Sequence, residues 1–296
     1  MTTVINVPPS LDENSFEHVL EQVSSLPPDA KVLLDARHTR WASPYGLTAL
    51  LTLGQSRDGN GRAALAVPEA DDTLSYWSRT HFFHYADDLF DLRGIVPRRR
   101  DGGDSQVLLE ITPIAKSEDV HGAVDRIQEK TQQIIGKELG LEPKAIVGFA
   151  MTLSEVCQNI IEHAGRGGWV AVQTYNWTKR LGRRVVVIAV CDAGVGFRAS
   201  LESAGHYHPP ERWDDSAALE AAVIRGVSRF RDPGRGQGLA GVRKYVGRWN
   251  GKLSVRSGTS RIAIVPDWDE DVPLEENLPR FPGAQIQVTI PERVAR

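Results

Sequence analysis

The chain has 296 residues, of which 41% are hydrophobic and 25% charged, with a formal net charge of −3. This composition is typical of a globular protein with one large domain or two ordinary ones. The near-neutral charge excludes an overall field that would attract nucleic acid or an anionic membrane, so we expect neither as a partner.

The cysteine content and the apolar runs indicate the compartment. Cys157 and Cys191 are the two cysteines, and both lie in apolar runs, which makes a disulfide scaffold improbable and fits a reducing cytoplasm. The first fifteen residues lack the basic and apolar segments of a signal peptide. No apolar run approaches the ~20 residues that cross a bilayer. We therefore expect a cytoplasmic protein.

The first ninety or so residues alternate between strand and helix patterns, which predicts an α/β layer with a largely parallel sheet. The predicted strands are Val4–Val7, Lys31–Asp35 and Ala63–Val67, and the predicted helices are Asp12–Ser25 and Gly46–Leu53. Residues 97–104 have no apolar side chain after Pro97 and are rich in glycine and arginine. We interpret 97–105 as a linker between domains at 1–96 and 106–296.

The second unit also predicts mixed α/β structure. Two long helices are expected, one from Ser117 to about Leu139 and one from Pro143 to Ala164, and a third at Leu239–Trp249. The predicted strands are Val107–Ile111, Trp169–Trp177, Arg184–Cys191, Lys252–Ser257, Arg261–Pro266 and Ala284–Ile290. The acidic stretch Asp267–Pro282 is expected to be an exposed excursion.

The helix over Ala145–Ala164 separates apolar and polar residues onto two faces. Its polar face carries Glu155, Asn159, Glu162 and His163, and no Lys or Arg occurs between Ala145 and Gly165. Carboxylate and amide groups without basic partners suit Mg²⁺ and water near phosphates. A solvated face that happens to be acidic is the equally weighted alternative.

Two glycine-rich turns follow this helix. Asp192-Ala-Gly194-Val-Gly196 ends an apolar strand, and its aspartate could accept a hydrogen bond from a ligand amino group. Gly234-Arg-Gly236-Gln-Gly238 precedes a helix and could present backbone N–H groups to phosphates. Each turn alone could be an ordinary loop, and neither fits the Walker or Rossmann pattern.

Together these motifs resemble the GHKL superfamily of ATPases and kinases, which have a Bergerat ATP-binding fold. TLSEVCQNIIEHAG resembles its N box, VCDAGVGF its G1 box and GRGQGLAGV its G2 box. The resemblance implies an α/β sandwich in which a mixed sheet is covered by helices on one face. It implies ATP and Mg²⁺ as ligands, with a lid over residues 218–230.

The resemblance also implies roles for single residues. Glu155 would be the catalytic base and Asn159 would coordinate Mg²⁺, while Asp192 would bind adenine. The other binding residues would be His163 from the N box, Gly194 and Gly196 at the adenine, and Gly234, Gly236 and Gly238 at the phosphates.

Within the superfamily the chain is most similar to the anti-sigma-factor serine kinases, through its Glu-x-x-x-Asn-x-x-x-His box. The N-terminal unit resembles a degenerate STAS domain, the anti-anti-sigma fold, on the strength of KVLLD followed by SPYGLTALL. In that family, the residue before the glycine is the one that becomes phosphorylated. Here Tyr45 occupies that position, and Ser43 stands where an aspartate is usual.

The sequence thus predicts an ATP/Mg²⁺-binding regulator whose nucleotide state controls a protein partner, such as a STAS or sigma-factor-like protein. Phosphotransfer to a Ser or Thr of that partner would make it a kinase. The alternatives are an ATP-hydrolysing machine acting as a homodimer and a non-catalytic nucleotide-binding module.

Overall fold

The computed structural model describes residues 2–27, 29–57, 61–97, 108–114, 154, 156–158, 167–177, 181–204, 207–228 and 238–292. Within these ranges the chain forms two principal sheets with helices between and around them, which is a mixed α/β architecture. No helix among the described residues has the length and apolar character needed to cross a membrane.

The N-terminal sheet contains four parallel strands in the order β1-β3-β5-β6. The prediction of a parallel α/β layer is therefore confirmed. The strands are β1 Thr2–Asn6, β3 Lys31–Asp35, β5 Ala63–Ala66 and β6 Phe90–Arg93, with a small separate pair of β2 Ser10–Leu11 and β4 Trp41–Ala42. The helices are α1 Ser15–Ser24, α2 Pro44–Ser56, α3 Asp71–Arg79 and α4 Phe82–Leu89.

The second sheet has seven strands in the order β12-β11-β10-β13-β9-β8-β7. Its strands are β7 Leu108–Ile114, β8 Gly168–Trp177, β9 Arg183–Asp192, β10 Lys252–Gly258, β11 Ser260–Ile264, β12 Leu274–Glu275 and β13 Phe281–Pro291. The described helices of this part are α5 Gly196–Glu202, α6 Asp215–Leu219, which continues as a π-helical turn at Glu220–Ile224, and α7 Gly238–Arg248.

All pairings in the seven-stranded sheet are antiparallel over the described ranges. The expectation of a mixed sheet is therefore wrong for this part of the chain. For β8–β9 and β10–β11 the reason is that short connections join these strands, and short connections can join only antiparallel neighbours.

Alternate residues of each strand face opposite sides of this sheet. One side carries Val186, Ile188 and Val190 and packs against α7 and the described part of the N-box helix, where Val156 and Cys157 are buried. The other side carries Ala189 and Cys191 and packs into the core of the N-terminal unit. Helices therefore cover both faces of the sheet, which corrects the prediction of helices on one face.

Helix α2 is the element that joins the two layers. Residues 44–54 are all buried, and the helix contacts β8, β9 and β13 of the second sheet as well as α4. Such a helix has no solvent-facing side to place polar residues on. The sequence prediction of a buried helix at Gly46–Leu53 is confirmed.

The segment between β11 and β13 has many exposed residues, as predicted, but two of its acidic side chains are buried. The side chains of Asp269 and Asp271 are only 5% and 8% exposed, and both lie within 3.4 Å of the Lys252 ammonium group. Asp271 pairs at 2.7 Å with Arg261 as well. Acidic side chains of the segment thus neutralise the two buried cations Lys252 and Arg261. The alternation of residue types within a single strand does not reveal such pairs.

The predicted linker at 97–105 lies outside the described residues except for Pro97. The helix expected from Ser117 to Leu139 lies outside them entirely. Of the N-box helix, Ser154 and residues 156–158 are described, and they are helical as predicted.

Candidate nucleotide site

Asp192 lies at the carboxyl end of β9, on the side of the sheet that faces α7 and the N-box helix. The residue is 5% exposed. Burial raises the pKa of its carboxyl to about 7, although N–H groups of Gly194 and Ala284 favour the charged form. The Gly194 amide donates to Oδ1 at 2.8 Å. A carboxylate has about four acceptor positions, so capacity remains for an amino group of a ligand.

Three strand ends form a glycine-lined corner around this carboxylate. Gly196 and Gly283 both have φ of +76°, in the left-handed region that favours glycine. A Cβ on Gly283 would overlap the backbone oxygen of Asp192 and come within 2.5 Å of its Oδ1. A Cβ on Gly196 would lie 2.7 Å from the Ser257 hydroxyl. The corner therefore tolerates no side chain at either glycine.

Polar side chains hold the strand ends together. The Ser257 hydroxyl donates to the carbonyl of Gly283 at 2.7 Å and accepts from the Phe197 amide at 3.2 Å. The Gln285 amide group donates to the carbonyls of Asp192 and Pro282 at 3.1 and 2.8 Å. Sequence inspection had not assigned roles to Ser257 and Gln285. The run Phe281-Pro-Gly-Ala-Gln was the available signal, since a glycine entering a strand marks a close backbone approach.

The segment predicted as a lid begins in α6. Asp214 caps this helix and accepts a hydrogen bond from the Ala217 amide at 2.9 Å. This bond, together with a second one from the Ser216 hydroxyl, lowers the pKa of the Asp214 carboxyl. Asp215 accepts from the amide and the hydroxyl of Thr259 at 2.9 Å each. The helix continues as a π-helical turn over Glu220–Ile224. Its start is therefore fixed to the β10–β11 turn, close to the glycine-lined corner.

The predicted phosphate-binding residues are only partly described. Gly238 begins α7 with φ of +36°, and no atom would lie within 4 Å of a Cβ placed on it. Leu239, Val242 and Val246 pack α7 onto the sheet face that carries Asp192. The other predicted site residues, namely Glu155, Asn159, His163, Gly234 and Gly236, lie outside the described residues.

Across the part of the chain that the structure describes, no three His, Cys, Asp or Glu side chains converge as a metal site. The proposed Mg²⁺ ligand Asn159 lies outside that part. Cys157 and Cys191 are buried free thiols, and burial raises the pKa of each to about 12, so both are unreactive.

A second concavity lies in the N-terminal unit, at one face of its parallel sheet. This cleft of about 790 Å³ includes Leu33, Ala66 and Leu74 in its lining. Its Arg37 forms a bidentate ion pair with Asp35, at 2.9 and 2.7 Å, which lowers the pKa of that carboxyl. None of the residues predicted from the motifs lines this cleft.

A buried carboxylate in a glycine-lined corner, on a sheet covered by helices, is an arrangement found in nucleotide-binding α/β proteins. Residues 146–293 match the family of histidine kinase-, DNA gyrase B- and HSP90-like ATPases. That range comprises 148 residues, half of the 296 in the chain. The chain therefore belongs to this family. The search of curated proteins gave no match.

Proposed function

We propose that this protein is an ATP-dependent regulator of a protein partner, in which Asp192 recognises the adenine of ATP. The observation that carries this proposal is the buried Asp192 carboxylate, enclosed by Gly196 and Gly283 in a domain of an ATPase family. Family membership makes ATP the expected ligand. Desolvation strengthens a hydrogen bond from the adenine amino group to this carboxylate.

The remaining roles follow the motif assignments. Glycines 234, 236 and 238 would approach the phosphates, His163 would line the site, and Asn159 would hold Mg²⁺, which neutralises phosphate charge when bound. Glu155 would take the proton of an attacking hydroxyl group. With a serine of the partner as acceptor, its oxygen would bond to the γ-phosphorus while the bond from that phosphorus to the β–γ bridging oxygen breaks. The products would be ADP and a phosphoserine. This is the activity of a kinase of the anti-sigma-factor type.

The acceptor hydroxyl belongs to a separate molecule in this proposal. In the STAS-like N-terminal unit, Ser43 is 3% exposed and accepts a hydrogen bond from the Gly46 amide as the cap of α2. Tyr45 is 2% exposed, and burial raises the pKa of its hydroxyl well above 10. Neither hydroxyl can reach a nucleotide while the protein is folded. This supports an acceptor in trans.

One experiment separates the candidate activities. The intact protein is incubated with γ-labelled Mg-ATP, alone and with candidate STAS or sigma-factor-like partners, and both ADP and protein-bound label are measured. Label on a partner supports the kinase, and ADP without label supports an ATPase. Binding without either product supports a nucleotide-controlled interaction module. ATP binding that survives both Asp192→Ala and Asn159→Ala would refute the site assignment.

A further inference from the structure

The adenine corner is also held from the opposite side of the sheet, by the N-terminal unit. Arg256 lies on β10 next to Ser257, and because strand side chains alternate, the two point to opposite faces. Ser257 faces the nucleotide side and binds Gly283, while Arg256 faces helix α1. Neighbouring residues of one strand thus connect the two sides of the sheet.

Arg256 is a buried junction between three chain segments. Its side chain is 1% exposed. Its guanidinium donates to both carboxylate oxygens of Glu17 on α1, at 2.5 and 3.0 Å. It also donates to the carbonyl of Gly258 at 3.2 Å and to that of Pro279, and it lies 5.6 Å from the Phe281 ring centroid. The guanidinium therefore fixes the chain at Pro279, two residues before β13 begins and four residues before Gly283, whose backbone approaches Asp192.

A second contact joins the same corner to the N-terminal unit. The Thr48 hydroxyl of α2 lies 3.2 Å from the Cys191 thiol, one residue before Asp192. Phe16 of α1 packs against Phe281, with ring centroids 5.6 Å apart. Helices α1 and α2 thus contact both strand ends whose backbones shape the Asp192 pocket.

We propose that Glu17, acting through Arg256, is a positioning residue for the adenine corner, so that the N-terminal unit sets the affinity of the nucleotide site. Glu17 balances the buried guanidinium and directs its other N–H groups to the carbonyls of Gly258 and Pro279. Without that carboxylate the buried guanidinium has no compensating negative charge from α1, which favours its movement toward water. The hydrogen bond that holds Pro279 before β13 would then be lost. This inference rests on the proposed function, since it concerns ATP binding at Asp192.

The chain offers a control next to the same helix. Glu13, in the turn before α1, pairs with Lys252 of β10 at 2.9 Å, and both side chains are 7% exposed. Lys252 bonds Asp269 and Asp271 and has no bond to the adenine corner among the described contacts. Glu13→Gln therefore breaks a second buried ion pair between the N-terminal unit and β10.

The test compares Glu17→Gln, Glu13→Gln and the unaltered protein by equilibrium titration with Mg-ATP and with inorganic tripolyphosphate. We expect Glu17→Gln to weaken ATP binding about tenfold and to leave tripolyphosphate binding within twofold, because only the adenine corner is displaced. Glu13→Gln should leave both affinities within twofold while lowering the melting temperature. Unchanged ATP affinity in Glu17→Gln, or equal losses for both ligands, would overturn the inference.

Hydrogen–deuterium exchange on the unaltered protein tests the same inference without a variant. ATP should slow amide exchange in residues 15–24 of α1 and in 281–285 together. Protection confined to residues 192–202 and 238–248 would overturn it. Absence of ATP binding in the unaltered protein would overturn the proposed function, and this inference with it.

Discussion

Burial of the Asp192 carboxylate lowers the stability of the ligand-free protein whenever that carboxylate is ionised. Its pKa is raised from 3.8 to about 7, chiefly by burial. The unfolded chain therefore releases this proton at lower pH than the folded protein does. The stability of the ligand-free protein should fall as pH rises from about 4 to about 7 and stay lowered above that.

Asp192→Asn should remove this cost while keeping an acceptor for the Gly194 amide. We expect the ligand-free variant to be more stable than the unaltered protein by about 2–4 kcal/mol at pH 8, and by little at pH 4. Chemical denaturation at the two pH values measures this. A variant that is less stable at pH 8 would mean that the carboxylate is stabilising there.

Gly283 tests the close approach of backbone in the same corner. Gly283→Ala combines a left-handed φ with a clash against Asp192, so we expect a loss of about 2–4 kcal/mol and of ATP binding. Gly182, in the β8–β9 turn, has φ of +66° and open space around a Cβ. Gly182→Ala should therefore cost only about 1 kcal/mol and keep full ATP affinity. Equal losses of affinity in both variants would contradict the crowded corner.

At the scale of elements, the acidic segment before β13 stabilises the sheet through buried ion pairs. Burial opposes the charge of Asp271, but hydrogen bonds from Arg261 and Lys252 prevail and lower the pKa of its carboxyl to about 2. Because the folded pKa is the lower one, this stabilisation is present above pH 4. It is lost as pH falls toward 2.

Asp271→Asn should destabilise the protein by about 3–5 kcal/mol at neutral pH, because two buried cations lose a shared partner. It should also flatten the pH dependence of stability between pH 4 and 2. Glu270→Gln is the control, since Glu270 is exposed in the same segment. Thermal and acid unfolding of the unaltered protein and the two variants measure these effects. Similar unfolding curves for both variants would contradict a stabilising role of the buried ion pairs.

At the scale of the whole molecule, the sequence predicted the elements within each layer, but it did not predict how the two layers contact each other. The alternation of strand and helix patterns predicted the parallel N-terminal strands, and the apolar run of α2 predicted its burial. The covered outer face of the second sheet carries Lys252, Arg256, Gln285 and Gln287. Such polar alternation normally indicates a solvent-facing side. The partners Glu13 and Glu17, more than 200 residues away, help to make this face an interior.

The sequence could predict those residues of the candidate site that lie together in one short motif. Asp192 and its two following glycines could be predicted as a site only together with the other two motifs, because Asp and Gly at a strand end also form ordinary turns. Gly283, Ser257 and Arg256 act through contacts made by the fold, and their residue types occur in any sheet. Their roles required the strand order β10-β13-β9.

The two units share one of the two buried clusters of the described chain, so the N-terminal unit should stay docked throughout any reaction. Phe281, Cys191 and Ala171 of the second sheet pack with Phe16 and Tyr45 in a single buried cluster. Thermal unfolding should accordingly show one transition, since the core of the N-terminal layer includes side chains of the second sheet. Two well-separated transitions in calorimetry would contradict a shared core.

The ATP affinity of the intact protein as a function of pH tests the central claim most directly. If the ionised Asp192 carboxylate receives the adenine amino group, the affinity should rise through about pH 7, by up to tenfold per pH unit below that value. The same titration of Asp192→Asn should give weaker binding with no such rise. Identical pH profiles for the two proteins would contradict adenine recognition by Asp192.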